Sequence, residues 1–549
     1  MSQTNDVTFR TTDDAVRMVG AAVAADEFRR ASDIADRALS QGLIHPALFN
    51  ARALWLERQG RNEDALVEFQ RARALAPKDV TLLNAIGLCM NRLYRLEEAL
   101  ETFDEAIRAM PAYAPTYQRK GVVLALLGRQ KEAEQAYVRA VQLQPTNADA
   151  LANLASIMVA KGDERAARRY AERALGADPH NTTAQAALSL LEIEHGQFVE
   201  AEQRLYRLIE APGLAGQGRA VARGLLGDAL DGQNRSADAF AAYAAANAEL
   251  HALHAPRFQG KPTTFDVVKN LSGWLEGASA HDRSPADDVR VASPDDPRQH
   301  VFLLGFHRSG TTLLEQVLKG HPDVVTLEER DLLAELAERT LTNRQDLDRL
   351  ESLSGPALAY AREEYWRRVR GENLAVRDKV FVDKHPLNTI KLPLIFKLFP
   401  DALILFALRD PRDVVLSCFR RHFEINAVMF EYLSLDGIAN LYDGVMRVGM
   451  LSRALFPLRV HEVRYEAMVA DFDGQTQSLC KFLGLPWNSE LRKFSDAAAI
   501  RDVRSPSAQQ VRRDLYTEGE GQWRRYREQL APVLPTLEPW IARFGYPQN

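Results

Sequence analysis

Three stretches, EDALVEFQRARALAP (63–77), EEALETFDEAIRAMP (97–111) and KEAEQAYVRAVQLQP (131–145), alternate apolar and polar positions with a helical period and follow one another at a step of 34 residues. The same step carries Pro77, Pro111, Pro145 and Pro179. It also carries two alanine series, Ala31, Ala65, Ala99, Ala133, Ala167, Ala201 and Ala38, Ala72, Ala106, Ala140, Ala174. Gly87 and Gly121 occupy the small-residue position of the preceding helices, and a shifted copy holds Gly227, Ala239, Tyr243 and Ala246. Small residues at fixed points let two helices approach closely. An aromatic such as Phe69, Phe103 or Tyr137 fills the gap, and proline ends the unit. One helix pair cannot bury its apolar face alone, so the pattern predicts about seven units stacked as a superhelix over residues 12–253, with a concave inner surface.

Past residue 253 the pattern breaks. Residues 254–297 are interrupted by proline and glycine, carry a short amphipathic stretch around NLSGWLEG, and then become polar and turn-rich, which predicts a linker with one short helix. From residue 298 to 549 the period changes again. Strand candidates at 300–306, 323–327, 379–383 and 402–408, and one more within 457–465, alternate with helical stretches at 311–319 and 387–399. Strands alternating with helices predict an α/β domain with a mostly parallel sheet. Gly320, His321 and Pro322 are expected to stop the helix that begins at Thr311. Ligands of such folds sit beyond the carboxyl ends of the strands. The residues to watch are therefore Arg308 to Thr312, Glu328, Glu329, Lys384, Arg409 and Tyr465.

Composition narrows the partners. The net charge of −5 over 549 residues and a pI near 6.2 argue against a nucleic-acid binder working through bulk charge. Cys89, Cys418 and Cys480 lie far apart and outside any metal-ligand or CxxC spacing, as expected of reduced, buried thiols. The start MSQTNDVTFRTTDD has no basic and apolar leader pattern, and no apolar run is long enough to span a bilayer. The expected location is cytoplasmic.

The most informative stretch is GFHRSGTTLLEQVL, residues 305–318. Gly305 and Gly310 have the spacing of a phosphate-binding loop and Thr312 holds its hydroxyl position, but Thr311 stands where the lysine belongs. Backbone N–H groups at a helix start bind anions, and glycines let the backbone come close. Without the lysine a magnesium-bound triphosphate is poorly served. Arg308 supplies a cation for an anion of lower charge. A second loop, LRDPRDVVLSCF (408–419), pairs Arg409 at a strand end with Ser417 on the following helix; guanidinium suits phosphate because its planar fork donates two bonds at once.

The repeats resemble the tetratricopeptide family, which implies a surface for a protein partner. HRSGTTL resembles the 5′-phosphosulfate loop of sulfotransferases, and the Arg409/Ser417 segment resembles their 3′-phosphate segment. HPDVVTLEER, VDKHPLNTIKLP, VRYEAMV, SPSAQQVRRDLY and GQWRRYREQL resemble protein-tyrosine sulfotransferases and their bacterial relatives. The resemblance spans about residues 298–549 and implies transfer of a sulfuryl group from 3′-phosphoadenosine 5′-phosphosulfate to an acceptor hydroxyl, with no metal required. It casts Glu329 as base, with Glu328 as rival. It casts Lys384 and Arg308 as stabilisers of the departing oxygen, and Ser507 as a serine near the donor. Donor binding falls to Arg308, Ser309, Gly310, Thr311, Thr312, Arg409 and Ser417, with Tyr465 either at the adenine or packed under the next helix. Where the family has basic residues just before the tryptophan of this last segment, this chain has Gln522 before Trp523, so that 3′-phosphate contact is left open between Arg524 and Arg525. His307 and His385 read as packing or hydrogen-bonding residues. The acceptor, a tyrosine of a peptide or another hydroxyl, is not written in these motifs. Two readings compete: a P-loop nucleotide kinase or hydrolase using Asp383, and a repeat scaffold whose α/β half is inactive.

Overall fold

The computed structural model describes residues 9–211, 214, 216–277, 296–421, 423–494 and 519–548. The chain forms two compact units, Met1–Leu191 and Glu192–Asn549. The repeat pattern expected over 12–253 therefore runs across the border between them.

The first unit is a succession of helix pairs, among them Pro46–Arg58 with Asn62–Leu75, Val80–Arg92 with Leu96–Ala109, Ala114–Leu126 with Gln130–Leu143, and Ala148–Lys161 with Glu164–Ala177. The alanine series does what the periodicity predicts: Ala31, Ala65, Ala99, Ala133 and Ala167 are fully buried. The glycines mark close approach. A Cβ on Gly87 would lie 2.5 Å from the Phe103 ring, and one on Gly121 would lie 2.6 Å from the Tyr137 ring. These contacts fix the repeat spacing through packing, since the helices' own propensity does not specify their neighbours.

The second unit begins with the last repeat-like helices, α1 (Gln217–Gly232) and α2 (Ser236–Phe258). Gly227 and Tyr243 reproduce the same glycine-on-aromatic contact, at 2.4 Å to the would-be Cβ. Next comes α3 (Thr264–Glu276), started by a capping box in which Thr263 and Asp266 satisfy each other's backbone N–H. The amphipathic stretch read as a short helix in a linker is thus present. It buries Val268, Leu271, Trp274 and Leu275 in the core of this unit.

Among the described residues the sheet has five parallel strands: β1 (Gln299–Leu304), β2 (Val324–Glu328), β3 (Val380–Lys384), β4 (Leu403–Leu408) and β5 (Arg459–Arg464), in the order β2-β3-β1-β4-β5. Each coincides with a strand candidate of the sequence, although β5, RVHEVR, is largely polar and only partly buried. Alternation along each strand gives the sheet two covered faces. Val301, Leu303, Val380 and Val382 face α4 (Thr311–Lys319), through its Leu314, Val317 and Leu318. Phe302, Leu304, Phe381, Ile404 and Phe406 pack in the other core, with α5 (Gly355–Gly371), α6 (Pro411–Arg420) and α7 (Leu435–Leu455).

One helix departs from expectation. Residues 387–399 form a 3₁₀ segment, Pro386–Lys391, followed by a short helix, Leu392–Leu398. Pro393 at the start of the second piece supplies no N–H to a continuous ladder, so the helix is split there. The cysteines are buried and unpaired.

Candidate functional site

The sheet order places β1 between β3 and β4, so the carboxyl end of β1 opens onto the point where the chain changes sides. The loop 305–310 occupies that point. Its shape needs glycine. Gly305 has φ 155°, and a Cβ there would lie 2.5 Å from the Ala407 carbonyl oxygen of β4. The Gly305 N–H donates to the Pro386 carbonyl at 3.0 Å, while its own carbonyl accepts from the Thr389 hydroxyl at 2.7 Å. Gly310 caps α4 in the left-handed region, φ 93°, and a Cβ there would lie 2.9 Å from the Tyr465 ring. Arg308 also has positive φ, 68°, a strained conformation for a residue with a Cβ.

The residues expected to hold the donor fall into one cluster. The Arg308 guanidinium donates through Nε to the Ser417 hydroxyl of α6 at 2.9 Å. Arg409, at the end of β4, donates to the Arg308 carbonyl at 3.1 Å and to the Gly519 carbonyl. Its guanidinium lies 4.8 Å from the centre of the Tyr465 ring. Arg308, Ser309, Thr311, Thr312, Arg409 and Tyr465 are all buried. Burial and the nearby cations Arg421 and Arg409 push the Arg308 pKa below its ordinary value, which means a charged guanidinium held in like-charged company. An anion here relieves both repulsion and desolvation.

A second cluster adjoins the first. Lys384, at the end of β3, is fully buried; its ammonium lies 2.6 Å from Glu329 Oε1 and 3.4 Å from Glu315 Oε2. Glu329, the residue after β2, turns at φ 45° and donates its N–H to the Lys384 carbonyl at 2.8 Å, so backbone and side chain hold the same pair. Burial raises the Glu329 pKa, but the charge of Lys384 and its hydrogen bond outweigh that and leave it below the usual carboxylate range. For Lys384, burial acts downward and is overcome by Glu315, Glu329 and Glu328, so it stays firmly protonated. Glu328 differs from its neighbour: burial, then repulsion from Glu315, raises its pKa.

Around these pairs, His307 Nδ1 shares a 2.7 Å hydrogen bond with the Tyr432 hydroxyl, and burial pushes its pKa down to about 3. Burial likewise lowers His385 to about 4. Both rings are neutral near pH 7, in keeping with packing and hydrogen-bonding roles. His321 ends α4 as expected: its Nδ1 accepts the Asp323 N–H at 3.1 Å and its Nε2 donates to the Pro486 carbonyl at 3.0 Å. Asp383 neighbours Lys384 in β3 and so faces the opposite side of the sheet. There it accepts the Tyr365 hydroxyl of α5 at 2.7 Å, and burial raises its pKa to about 7.

Several residues were not singled out from the sequence. Glu315 is one, a fully buried carboxylate in α4 that also accepts the Thr326 hydroxyl at 3.1 Å. Asp413 is another. Its carboxylate accepts the N–H groups of Gly521 and Trp523 at 2.7 and 2.9 Å, tying the chain's last segment to α6. The Arg412 guanidinium lies 3.6 Å from the Trp523 ring centre. Arg525 is taken up by Asp231 at 3.0 Å, and Gln522 accepts from Arg420 at 2.8 Å. A period-based reading gives no signal for an acid that pairs across the fold. Ser507 and the segment 505–516 lie outside the described residues.

Comparison with known proteins finds matches in two parts of the chain. Residues 300–489 match the Sulfotransferase family, and residues 51–114, 114–147 and 148–181 match Tetratricopeptide repeat families. An uncharacterized protein of Aquifex aeolicus (strain VF5) is 25% identical over 260 residues, 46% of this chain and 34% of its own length. Protein-tyrosine sulfotransferase 1 of Danio rerio is 25% identical over 266 residues, 45% of this chain and 72% of its own. Omega-hydroxy-beta-dihydromenaquinone-9 sulfotransferase Stf3 of Mycobacterium bovis (strain ATCC BAA-935 / AF2122/97) is 29% identical over 116 residues, 20% of this chain and 30% of its own. The match thus spans about a third of the Aquifex relative. Among the described residues no helix is long and apolar enough to cross a membrane. The chain carries a tetratricopeptide-repeat region fused to a sulfotransferase-family domain, with distant and partial similarity to protein-tyrosine sulfotransferases.

Proposed function

We propose that the second unit moves a sulfuryl group from 3′-phosphoadenosine 5′-phosphosulfate to an acceptor hydroxyl, and that the repeats hold a protein partner or substrate. The observation that carries this reading is the meeting of two charge systems beside one glycine loop. One is the Arg308–Ser417–Arg409 cluster; the other is the Glu329–Lys384 pair.

In the proposed reaction the loop 305–312 and Arg308 receive the 5′-phosphosulfate, and Arg409 and Ser417 receive the 3′-phosphate. The acceptor oxygen forms a bond to sulfur while the bond from sulfur to the bridging oxygen breaks. The hydroxyl proton passes to Glu329, whose side chain is 32% exposed and within reach of an acceptor. The electron pair stays on the bridging oxygen of the departing 3′-phosphoadenosine 5′-phosphate. Lys384, Arg308 and the loop N–H groups stabilise that oxygen in a site largely closed to water. The Glu329–Lys384 pair couples the two events. As Lys384 turns toward the growing negative charge, Glu329 loses the partner that keeps it acidic and becomes a stronger base. Glu315 keeps the ammonium charged throughout. A metal is not part of this scheme.

A tyrosine of a peptide or protein is the acceptor to which the resemblance points. The nucleotide-hydrolase alternative would draw on Asp383, which is engaged by Tyr365 on the far face of the sheet. Calorimetry with 3′-phosphoadenosine 5′-phosphate, against ATP with Mg²⁺, tests the donor. The wild type should prefer the former, and Arg409→Ala should weaken it at least about tenfold, as expected for losing a charge-assisted bond of ~1.5–3 kcal/mol. Preference for ATP with Mg²⁺ would sink the reading.

A further inference from the structure

Asp231 lies near the end of α1, in the repeat-like part of the second unit, yet its bonds run to the transferase part. Its carboxylate is buried. It pairs with Arg420 of α6 at 2.6 Å and with Arg525 at 3.0 Å, and accepts the Tyr526 hydroxyl at 2.6 Å. Arg420 in turn donates to Gln522 at 2.8 Å, and its guanidinium is flanked by the rings of Tyr243 and Tyr526, 5.4 and 5.7 Å away. The same face of α2 adds a hydrogen bond from the Asn247 side-chain amide N–H to the Phe419 carbonyl at 2.9 Å and a stack of Phe240 on Phe419 at 5.0 Å.

The segment held in this way, Gly519–Tyr526, borders the donor cluster. Arg409 donates to the Gly519 carbonyl, Asp413 of α6 accepts from Gly521 and Trp523, and Arg412 covers the Trp523 ring. Asp231 thus grips both the C-terminal end of the Ser417 helix, through Arg420, and the segment bordering Arg409, through Arg525 and Tyr526, next to the direct tie that Asp413 of α6 makes to that segment. Two arginines share it. Removing its charge leaves Arg420 and Arg525 close together without their common counter-ion, in a place where burial makes repulsion costly.

We propose that Asp231 is a positioning residue of the donor site: an acid of the last repeat-like helix pair that sets the spacing between α6 and the segment Gly519–Tyr526, and hence the recognition of the donor's 3′-phosphate. The proposal rests on the sulfotransferase reading, which assigns the 3′-phosphate to Arg409 and Ser417. It makes the end of the repeat array part of the enzyme, beyond any role in holding a partner.

The test compares full-length wild type and Asp231→Asn by calorimetry with two probes, 3′-phosphoadenosine 5′-phosphate and adenosine 5′-phosphate, which lacks the 3′ group. Wild-type preference for the first probe checks the underlying reading independently. Asp231→Asn should lose about tenfold or more in affinity for the 3′-phosphorylated probe, the range of a charged hydrogen bond. Its affinity for adenosine 5′-phosphate should hold, and Asp231→Glu should recover part of the difference. Tyr526→Phe, which removes only the hydroxyl that Asp231 accepts, reads the same tether with the ring kept in place and should show a smaller loss of the same selective kind. Equal loss for both probes, or an unchanged ratio in a folded Tyr526→Phe, would overturn the proposal.

Discussion

At the scale of single residues the candidate site is a set of charges whose pKa values are set by one another. Glu329 shows this best, because its two influences oppose: burial raises its pKa and Lys384 lowers it, with Lys384 ahead. If Glu329 is the base, kcat/KM, which reports the free enzyme, is sustained above its depressed pKa and is lost as pH falls through it, so the acid limb of kcat/KM lies below the ordinary carboxylate range. Lys384→Met removes the lowering influence and leaves burial, so the acid limb of kcat/KM should move up in pH while kcat falls by about 10²-fold or more. A pH–rate profile of the two proteins checks this, and an acid limb that stays in place in the variant would exclude Glu329 as the titrating base. The individual residues were legible in the sequence because each stands at a strand end, where Arg308, Glu329, Lys384 and Arg409 were sought. Their pairings were not. Nothing in the local pattern says that Glu315, at a helical position next to the apolar Leu314, completes the Lys384 environment, since that contact is made only when α4 lies on β3.

At the scale of elements, the loop between β1 and α4 is the part that least tolerates change. The inner strands and α4 could be read from apolar runs and helix-stop residues, because burial on both faces of a parallel sheet leaves a nearly continuous apolar signature, which the edge strand β5, RVHEVR, lacks. The split at Pro393 was legible but not read: a proline in the middle of 387–399 removes an N–H from the ladder and marks a break. Glycine at 305 is required twice over, by its φ of 155° and by the Ala407 carbonyl 2.5 Å from a would-be Cβ. That carbonyl belongs to a central strand and has little room to retreat. Gly305→Ala should therefore destabilise the second unit by roughly 2–4 kcal/mol, adding backbone strain to a steric clash. At Gly310 the obstacle is a Tyr465 side chain, which is able to rotate, so Gly310→Ala should cost less stability and mainly weaken donor binding. Denaturant melts of both variants separate the cases; equal stability loss would mean that Tyr465 is as immovable as the strand.

At the scale of the whole molecule, sequence periodicity and compact packing divide the chain at different places. The period runs to about residue 253, because the same glycine-on-tyrosine contact that joins Gly121 to Tyr137 joins Gly227 to Tyr243. Packing divides the chain at Leu191, because α1 and α2 bury Leu226, Leu230 and Tyr243 in the same core that holds Phe302 and Phe406 of the sheet. A repeat pattern records how a helix meets its neighbours in the array and is silent about what its remaining face covers. The two divisions predict different behaviour for truncated chains. A fragment 192–549 keeps every contact of the second unit, Asp231 included, and should melt cooperatively and bind 3′-phosphoadenosine 5′-phosphate as the full chain does. A fragment 254–549, cut where the period ends, exposes the faces covered by α1 and α2. Each large apolar side chain left bare costs about 1.5–3 kcal/mol, and several together approach the 5–15 kcal/mol that typically holds a domain folded. It also strands Arg420 without Asp231. Circular dichroism melts and calorimetry on the two fragments decide the matter. A cooperative transition with full donor affinity in 254–549 would show that the repeat-like helices are only an attachment, whereas its loss alongside a sound 192–549 would place the boundary of the enzyme inside the repeat array.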